Sequence, residues 1–397
     1  MTQPRITIGF LNLGHFLDHL AMLIYPTAVL AMSAEFGLGY AEMLPLALGG
    51  FLAFGAGSLP AGWLGDHWGR RPMMLVFFFG LGGALLLAGC VGNSWQLVGA
   101  LTLVGLFASI YHPVGIAMLV SDQKRLGRAL GWNGVWGNLG LASAALFSGW
   151  LAGSFGWRAA FILPGSATLA AGVAFALLVP ATAATARRPA ASAQRQPLDA
   201  TAQRVFLLLT VATICSGIIF NATTIVMPRL FEERLTALVH GTFGIGTLVA
   251  AIYAIAAMAQ LLVGRLIDGR SLRAVFLPMA VVQVPLVLAA GALTESAMLA
   301  AALTMMFVVF GLIPINDAMV ARYAQDGWRS RVYALRYVVS FGASSAAVPL
   351  VAWLEPQATG FAPLFALLAA IGLGTLAAAL LFPGAEPRPE LAATPAE

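Results

Sequence analysis

The chain contains twelve apolar stretches, each long enough for a helix to cross the hydrocarbon core of a bilayer, which takes about 20 residues. They lie at 8–32, 42–65, 73–92, 95–121, 128–152, 157–179, 204–229, 240–264, 273–292, 296–321, 330–353 and 360–382. Only 9% of the 397 residues are charged, whereas soluble proteins carry about 25%. The pattern predicts an all-α membrane protein with twelve transmembrane helices.

The segment between the sixth and seventh stretches has a different composition. It is rich in Ala, Pro and Arg, which is typical of a flexible linker. The first apolar stretch is too long for the core of a secretory signal, about 7–15 residues, so we interpret it as the first span. The predicted organisation is an N-terminal six-helix bundle (1–179), a cytoplasmic linker (180–203), a C-terminal six-helix bundle (204–383) and a disordered tail (384–397).

The two sets of six stretches are related in sequence. Gly62 and Asp66, with a Leu between them, recur as Gly264 and Asp268, again with a Leu between them. Six spans per half is an even number, so both halves begin on the same side of the membrane. The repeat therefore predicts two pseudo-symmetric bundles related by an axis along the membrane normal.

Basic residues predict the orientation of the chain. When both termini are placed in the cytoplasm, most of the 21 Lys and Arg residues fall on the cytoplasmic side. Arg158, Arg229 and Arg234 then lie outside, and Arg336 lies within the eleventh span. Since cytoplasmic loops of membrane proteins carry an excess of Lys and Arg, we expect a multi-pass protein of the bacterial inner membrane with both termini cytoplasmic.

The predicted cytoplasmic loop between spans two and three carries a dense motif. It contains Gly62, Asp66, Gly69, Arg70 and Arg71. The glycines permit a tight turn, and the carboxylate can cap the start of the next helix, where it meets the positive end of the helix dipole. The arginines can pair with the carboxylate or with a neighbouring helix. An ordinary charged turn remains the alternative.

This motif closely resembles the G-x-L-x-D-x-x-G-R-K/R signature of the major facilitator superfamily. The second copy keeps Asp268 but has Ser271 in place of the later glycine and Leu272 in place of the first basic residue. The resemblance extends over the twelve spans and the central linker. It implies alternating access by two rocking bundles, with spans one, four, seven and ten lining a central cavity.

Shorter elements resemble particular branches of that family. Tyr111-His112-Pro113 and the segment from Gly14 to Asp18 resemble the fosmidomycin-resistance efflux branch. The fifth span has glycines at every third position, which favours close helix packing; they are Gly131, Gly134, Gly137 and Gly140. Ala144-Ala145 stand where many family antiporters have Gly-Pro, a departure that counts against drug antiport.

Polar residues concentrate in the first span. His15, Asp18, His19 and Met22 follow the i, i+3, i+4, i+7 spacing of one helical face. Ionisable groups inside a membrane are costly and so mark functional sites by default. A buried polar network that holds helices together is the alternative.

Other predicted spans add fewer polar groups. In the fourth span Pro113 can free a backbone carbonyl toward the cavity, although a simple kink is an equal alternative. In the seventh span, a packing role is favoured for Asn221. In the tenth span, Asp317 is one candidate partner for Arg336 of the eleventh span. Together with the first span, the predicted substrate-binding residues are Asn12, His15, Met22, Tyr111, His112, Asn221, Asn316 and Arg336.

These features predict a proton-coupled secondary transporter of a small organic solute. The sequence has no phosphate-binding loop or hydrolase motif, so we expect neither an enzyme nor ATP-driven transport. No cofactor is expected, and the proton gradient supplies the energy. Asp18 is the predicted proton carrier, with His19 and Asp317 as further proton-coupling residues. The expected partners are a small-molecule substrate and the lipid bilayer, with no nucleic acid, and the protein is expected to be a monomer.

Two other functions remain open from the sequence. The first is a transition-metal permease for copper or zinc, because His15, Asp18, His19 and His112 offer usable ligands. The prediction of a proton-coupled transporter of an organic solute, in contrast, includes no metal site. The second is a membrane receptor that transports nothing.

Overall fold

The computed structural model describes residues 3–120, 126–180, 200–323, 338–340, 342, 345–354 and 360–384. Within these ranges the chain forms helices and short connections and no strand. The helices of the N-terminal half are α1 (Gln3–Phe36), α2 (Tyr40–Met43), α3 (Leu48–His67), α4 (Arg70–Gly89), α5 (Ser94–Ala108), α6 (Ile116–Val120), α7 (Leu126–Phe155) and α8 (Ala159–Leu178). Those of the C-terminal half are α9 (Ala200–Arg234), α10 (Gly241–Gly269), α11 (Leu272–Ala292), α12 (Glu295–Tyr323), α13 (Val338–Leu354) and α14 (Ala362–Leu381).

These helices account for the twelve predicted spans. The second span consists of α2, a 3₁₀ turn at Leu44–Ala47 and α3, and the fourth consists of α5, a π-helical turn at Tyr111–Gly115 and α6. Ten spans are long and apolar enough to cross a membrane on their described residues, and α7 and α13 occupy the remaining two positions. The predicted fold class, an all-α membrane protein with two pseudo-symmetric six-helix bundles, is confirmed.

The two halves repeat the same helix packing. The third span packs against the sixth and the fourth in one half (α4 with α8 and α5), as the ninth packs against the twelfth and the tenth in the other (α11 with α14 and α12). The packing of the second span against the fourth (α3 with α5) likewise corresponds to the packing of the eighth span against the tenth (α10 with α12). The sequence repeat thus corresponds to a structural repeat.

The helices extend beyond the apolar stretches. The first helix begins at Gln3, and α9 begins at Ala200, within the range predicted as linker. Hydropathy marks where a chain enters the bilayer, whereas Ala and Gln are good helix formers that continue a helix into water. The rest of the predicted linker and tail, 181–199 and 385–397, lies outside the described residues.

The halves meet along α7 and α10. A Cβ atom at Gly149 would collide with the carbonyl of Thr242, and one at Gly246 with the carbonyl of Ala145. Small residues let these two backbones approach closely. Lipid tails are as apolar as the side chains, so helices in a membrane associate through such close van der Waals packing rather than through the hydrophobic effect. Further along the same pair of helices, Asn138 Nδ2 donates to Gln260 Oε1 at 3.0 Å.

Candidate functional site

The polar face of α1 meets the π-helical turn of the fourth span inside the N-terminal half. His112 Nε2 lies 3.3 Å from Asp18 Oδ2, and His19 Nε2 lies 3.1 Å from His15 Nε2. The predicted helical face therefore does gather His15, Asp18 and His19, and the predicted His112 of the fourth span lies beside them. We call these four residues the His–Asp cluster.

A proline shapes the fourth span at the cluster. Pro113 has no backbone N–H, and its ring disfavours a regular helix around it; the chain forms a wider π-helical turn over Tyr111–Gly115 instead. Such turns often occur at functional sites. Tyr111 and His112 both reach α1 from this turn, since the Tyr111 ring stacks on His15 with centroids 4.9 Å apart.

Asn133 of α7 ties three spans together at the cluster. Its Nδ2 donates to the Tyr111 hydroxyl at 2.8 Å and to Asn12 Oδ1 at 3.0 Å. The Tyr111 hydroxyl in turn donates to the carbonyl of Leu11 at 2.7 Å. Sequence reasoning missed Asn133, although an amide in the mostly apolar fifth span was the available signal.

The hydrogen bonds of His15 define its tautomer. His15 Nδ1 lies 2.7 Å from the backbone carbonyl of Asn133, which only accepts, so Nδ1 carries the proton. In the neutral ring Nε2 is then an acceptor, and the proton between the two imidazoles belongs to His19 Nε2. His15 is thereby held with its lone pair directed at His19.

Asp18 is the most deeply buried member of the cluster. Its side chain has no exposed surface, whereas that of His112 is 10% exposed. Within the described structure, neither carboxylate oxygen accepts a well-aligned hydrogen bond, so the close contact with His112 is what compensates the carboxylate. An unpaired buried charge is costly, so the Asp18 carboxylate depends on this contact with His112.

The remaining predicted binding residues are dispersed. Asn221 Nδ2 donates to the carbonyl of Gly217 in its own helix at 2.8 Å, and Met22 packs at the edge of the hydrophobic core. Asn316 is buried and Asp317 is half-buried on α12, in the other half of the molecule. Arg336 lies outside the described residues.

The observed contacts of the loop motif are made by its two arginines, which bind backbone carbonyls near the ends of two helices. Arg70 Nη1 donates to the carbonyl of Ala117 at 2.9 Å, and Arg71 donates to those of Val179 and Ala176 at 2.7 and 2.8 Å. The two guanidinium groups thus satisfy carbonyls near the ends of α6 and α8, where a positive charge is favourable.

Asp66 does not cap the next helix, so that expectation is wrong. The N-cap of α4 is Gly69, with φ of 99° and no side-chain hydrogen bond, and Asp66 is exposed on the last turn of α3. The reason is that α3 continues to His67 and a positive-φ glycine then reverses the chain. Gly62 lies on α3, where a Cβ would approach Pro113 to 3.3 Å.

The second copy of the motif uses a different cap. Ser271 Oγ accepts from the backbone N–H of Ala274 at 3.3 Å and so caps α11. Asp268 lies on the last turn of α10, and its side chain is outside the described part of the chain.

Comparisons with known proteins agree with this architecture. The sequence model of the Major Facilitator Superfamily matches residues 11–347. The fold is similar to a bacterial homolog of the human lysosomal transporter Spinster in an inward-facing, occupied conformation, with a TM-score of 0.73, 14% identity and coverage of 96% and 95% of the two chains. It is equally similar to a peptide transporter in complex with sulfate, with a TM-score of 0.72, 14% identity and coverage of 95% and 93%.

Three named relatives match over part of the sequence. A multidrug resistance protein B homolog of Mycobacterium tuberculosis is 30% identical over 47% of this chain and 34% of its own length. A tetracenomycin C resistance and export protein of Streptomyces glaucescens is 28% identical over 43% and 32%. A probable 4-methylmuconolactone transporter of Cupriavidus pinatubonensis is 31% identical over 40% and 39%.

The matched region is thus less than half the length of each of these relatives. The family match, in contrast, covers most of the chain and both halves of the repeat. The protein belongs to the Major Facilitator Superfamily, and ten of its helices are long and apolar enough on their described residues to cross a membrane.

Proposed function

We propose that this protein moves a small organic solute across the bacterial inner membrane by alternating access, coupled to the proton gradient. The observation that carries the coupling is the buried Asp18 carboxylate, 3.3 Å from His112 Nε2 and without another well-aligned hydrogen bond in the described structure. The names of the relatives, which include a tetracenomycin C resistance and export protein and a probable 4-methylmuconolactone transporter, support an organic solute.

Proton coupling follows from the charge balance of the Asp18–His112 pair. With one proton the pair is neutral overall, and without it the carboxylate is left buried beside a neutral imidazole, which is costly. A change that brings water or a polar solute to the pair lowers that cost and permits the proton to leave. His19 borders the same group and is less buried than Asp18, so it is placed to pass the proton onward. Asp317 is the further proton-coupling residue of the proposal.

Alternating access is supported by the contact between the halves. The close approach of α7 and α10 around Gly149 and Gly246, and the Asn138–Gln260 amide pair, hold the two bundles together along one seam. We propose that this seam loosens in the opposite access state, with both termini and the linker in the cytoplasm and the protein acting as a monomer.

The test is transport by Asp18→Asn in proteoliposomes with an imposed pH gradient. A solute is first identified by its stabilisation of the purified protein in a thermal-shift screen of antibiotics, lactones and metabolites. We expect Asp18→Asn to bind this solute but to lose its accumulation, because Asn keeps the shape of the side chain and cannot carry the proton. His19→Gln should weaken transport less.

Glu35→Gln is the matched control, since Glu35 is a carboxylate at the exposed end of the same helix, bound to Arg158. It should transport like the parent protein. Accumulation of the solute by Asp18→Asn, with the pH gradient as the only driving force, would contradict the role of Asp18 and move the assignment to Asp317.

A further inference from the structure

Three imidazoles converge at one point within the N-terminal half. One ligand nitrogen from each of His15, His19 and His112 can be chosen so that all three lie within 4.8 Å of one another. Two polar contacts in the cluster are closer still, at 3.1 Å between His15 and His19 and 3.3 Å between His112 and Asp18. Zinc binds imidazole at about 2.0–2.1 Å in a tetrahedron, whose ligand atoms are then roughly 3.3 Å apart. The contact between His15 and His19 already has the length of one edge of such a site.

The orientation of His15 is that of a metal ligand. Its Nδ1–H donates to the backbone carbonyl of Asn133, and Nε2 presents its lone pair to the cluster. Histidines that bind metals commonly donate their other ring N–H to a carbonyl or carboxylate, which fixes both tautomer and ring position.

The backbone of α7 packs closely against this nitrogen. Gly137 of α7 faces it, and a Cβ atom there would lie only 2.6 Å from His15 Nε2. His19 and His112 are less buried than Asp18, so they form the more accessible side of the cluster. Asp18 supplies a fully buried carboxylate whose oxygens accept no well-aligned hydrogen bond within the described structure.

We propose that His15, His19 and His112 bind one divalent transition-metal ion of the Zn²⁺ class, with Asp18 beside His112 as a neighbouring carboxylate. Three imidazoles suit Zn²⁺ and its neighbours, whereas Mg²⁺ and Ca²⁺ prefer oxygen ligands. Binding requires the proton between His15 and His19 to leave that position, so that both nitrogens face the ion. This inference goes beyond solute transport and does not depend on proton coupling.

The test is Zn²⁺ binding to the full-length protein in detergent, measured by titration calorimetry and equilibrium dialysis after metal depletion. Cys90 and Cys215 are free thiols that bind Zn²⁺ themselves, so both are first replaced by Ser. We expect one Zn²⁺ per chain and no comparable Mg²⁺ binding. His112→Gln and His19→Gln should each weaken Zn²⁺ binding by at least roughly tenfold, since even partners outside the first ligand shell contribute 10–100-fold.

The chain provides matched controls, because two of its five histidines lie elsewhere. His67→Gln and His240→Gln should bind Zn²⁺ like the parent. Size-exclusion elution and helical circular dichroism establish that each variant is folded, and two separate cluster variants guard against the failure of one.

Absence of saturable Zn²⁺ binding, or binding that survives both cluster variants, would overturn the inference. So would loss of binding in the His67 or His240 variants. The measurement uses neither a solute nor a pH gradient, so its failure leaves the proposed transport untouched. Failure of the Asp18→Asn transport test likewise leaves Zn²⁺ binding untouched.

Discussion

The hydrogen bond between Asn133 and Tyr111 joins spans four and five at the site and can be measured on its own. Asn133→Ala removes the bonds to Tyr111 and Asn12. Tyr111→Phe removes the same shared bond and the one to the carbonyl of Leu11. Hydrogen bonds between membrane helices contribute about 0.6 kcal/mol on average and at most about 1.7 kcal/mol. We therefore expect each variant to lower the free energy of unfolding by about 1–3 kcal/mol.

The shared bond is lost in both single variants, so their effects should not add. The double variant should be less destabilised than the sum of the singles by about 0.6–1.7 kcal/mol. The assay is equilibrium unfolding in mixed micelles of mild detergent and dodecyl sulfate, followed by fluorescence of the nine Trp residues. Correct insertion and monodispersity are checked before unfolding.

Asn138→Ala provides the control, because Asn138 lies on the same helix but bonds to Gln260 in the other half. Its effect should add to that of Tyr111→Phe, since the two side chains share no bond in the described structure. If Asn133→Ala and Tyr111→Phe are additive within about 0.3 kcal/mol, Asn133 does not couple the two spans and the network described above is refuted.

Three further outcomes are expected. Ser192→Cys, in a background without native cysteines, should be labelled only from the cytoplasm. Labelling by an impermeant reagent from outside would show that the predicted orientation is wrong. Arg71→Gln, which removes the donors to the carbonyls of Val179 and Ala176, should insert normally but slow transport, whereas unchanged transport at equal expression would make the loop only a topological signal. Gly140→Ala should lower stability by about 1–3 kcal/mol, because its Cβ would collide with the carbonyl of Phe16. Gly134→Ala, which has open space around it, should be close to neutral in the same unfolding assay.

The architecture follows largely from local properties of the sequence. The number of spans, the division into halves and the parallel repeat are determined by apolar length and by recurrence of the Gly62–Asp66 motif, and both can be counted without knowing any contact. Helical periodicity was enough to place His15, Asp18 and His19 on one face, because an α-helix fixes the angle between residues three and four apart.

The contacts between spans could not be derived in this way. Which face of the fourth span meets α1 depends on the extra residue in the π-helical turn, and that turn rotates everything after it. Asn133 has an amide that could equally have faced lipid or another helix, so only the packing of α7 on α1 identifies its partners. The assignment of Asp66 as a cap failed because the end of α3 and the glycine reversal, rather than residue type, decide which group reaches the next helix.

The sequence by itself determined that this chain spans the membrane twelve times in two related bundles, because the bilayer selects for hydropathy along each segment. Only the tertiary structure decided that His112 faces Asp18, that Arg70 and Arg71 bind helix ends, and that α7 and α10 join the halves. The physical reason is that lipid specifies how apolar a helix is but not how it is rotated. Rotation and register are set by small-residue contacts and buried hydrogen bonds between helices far apart in the chain.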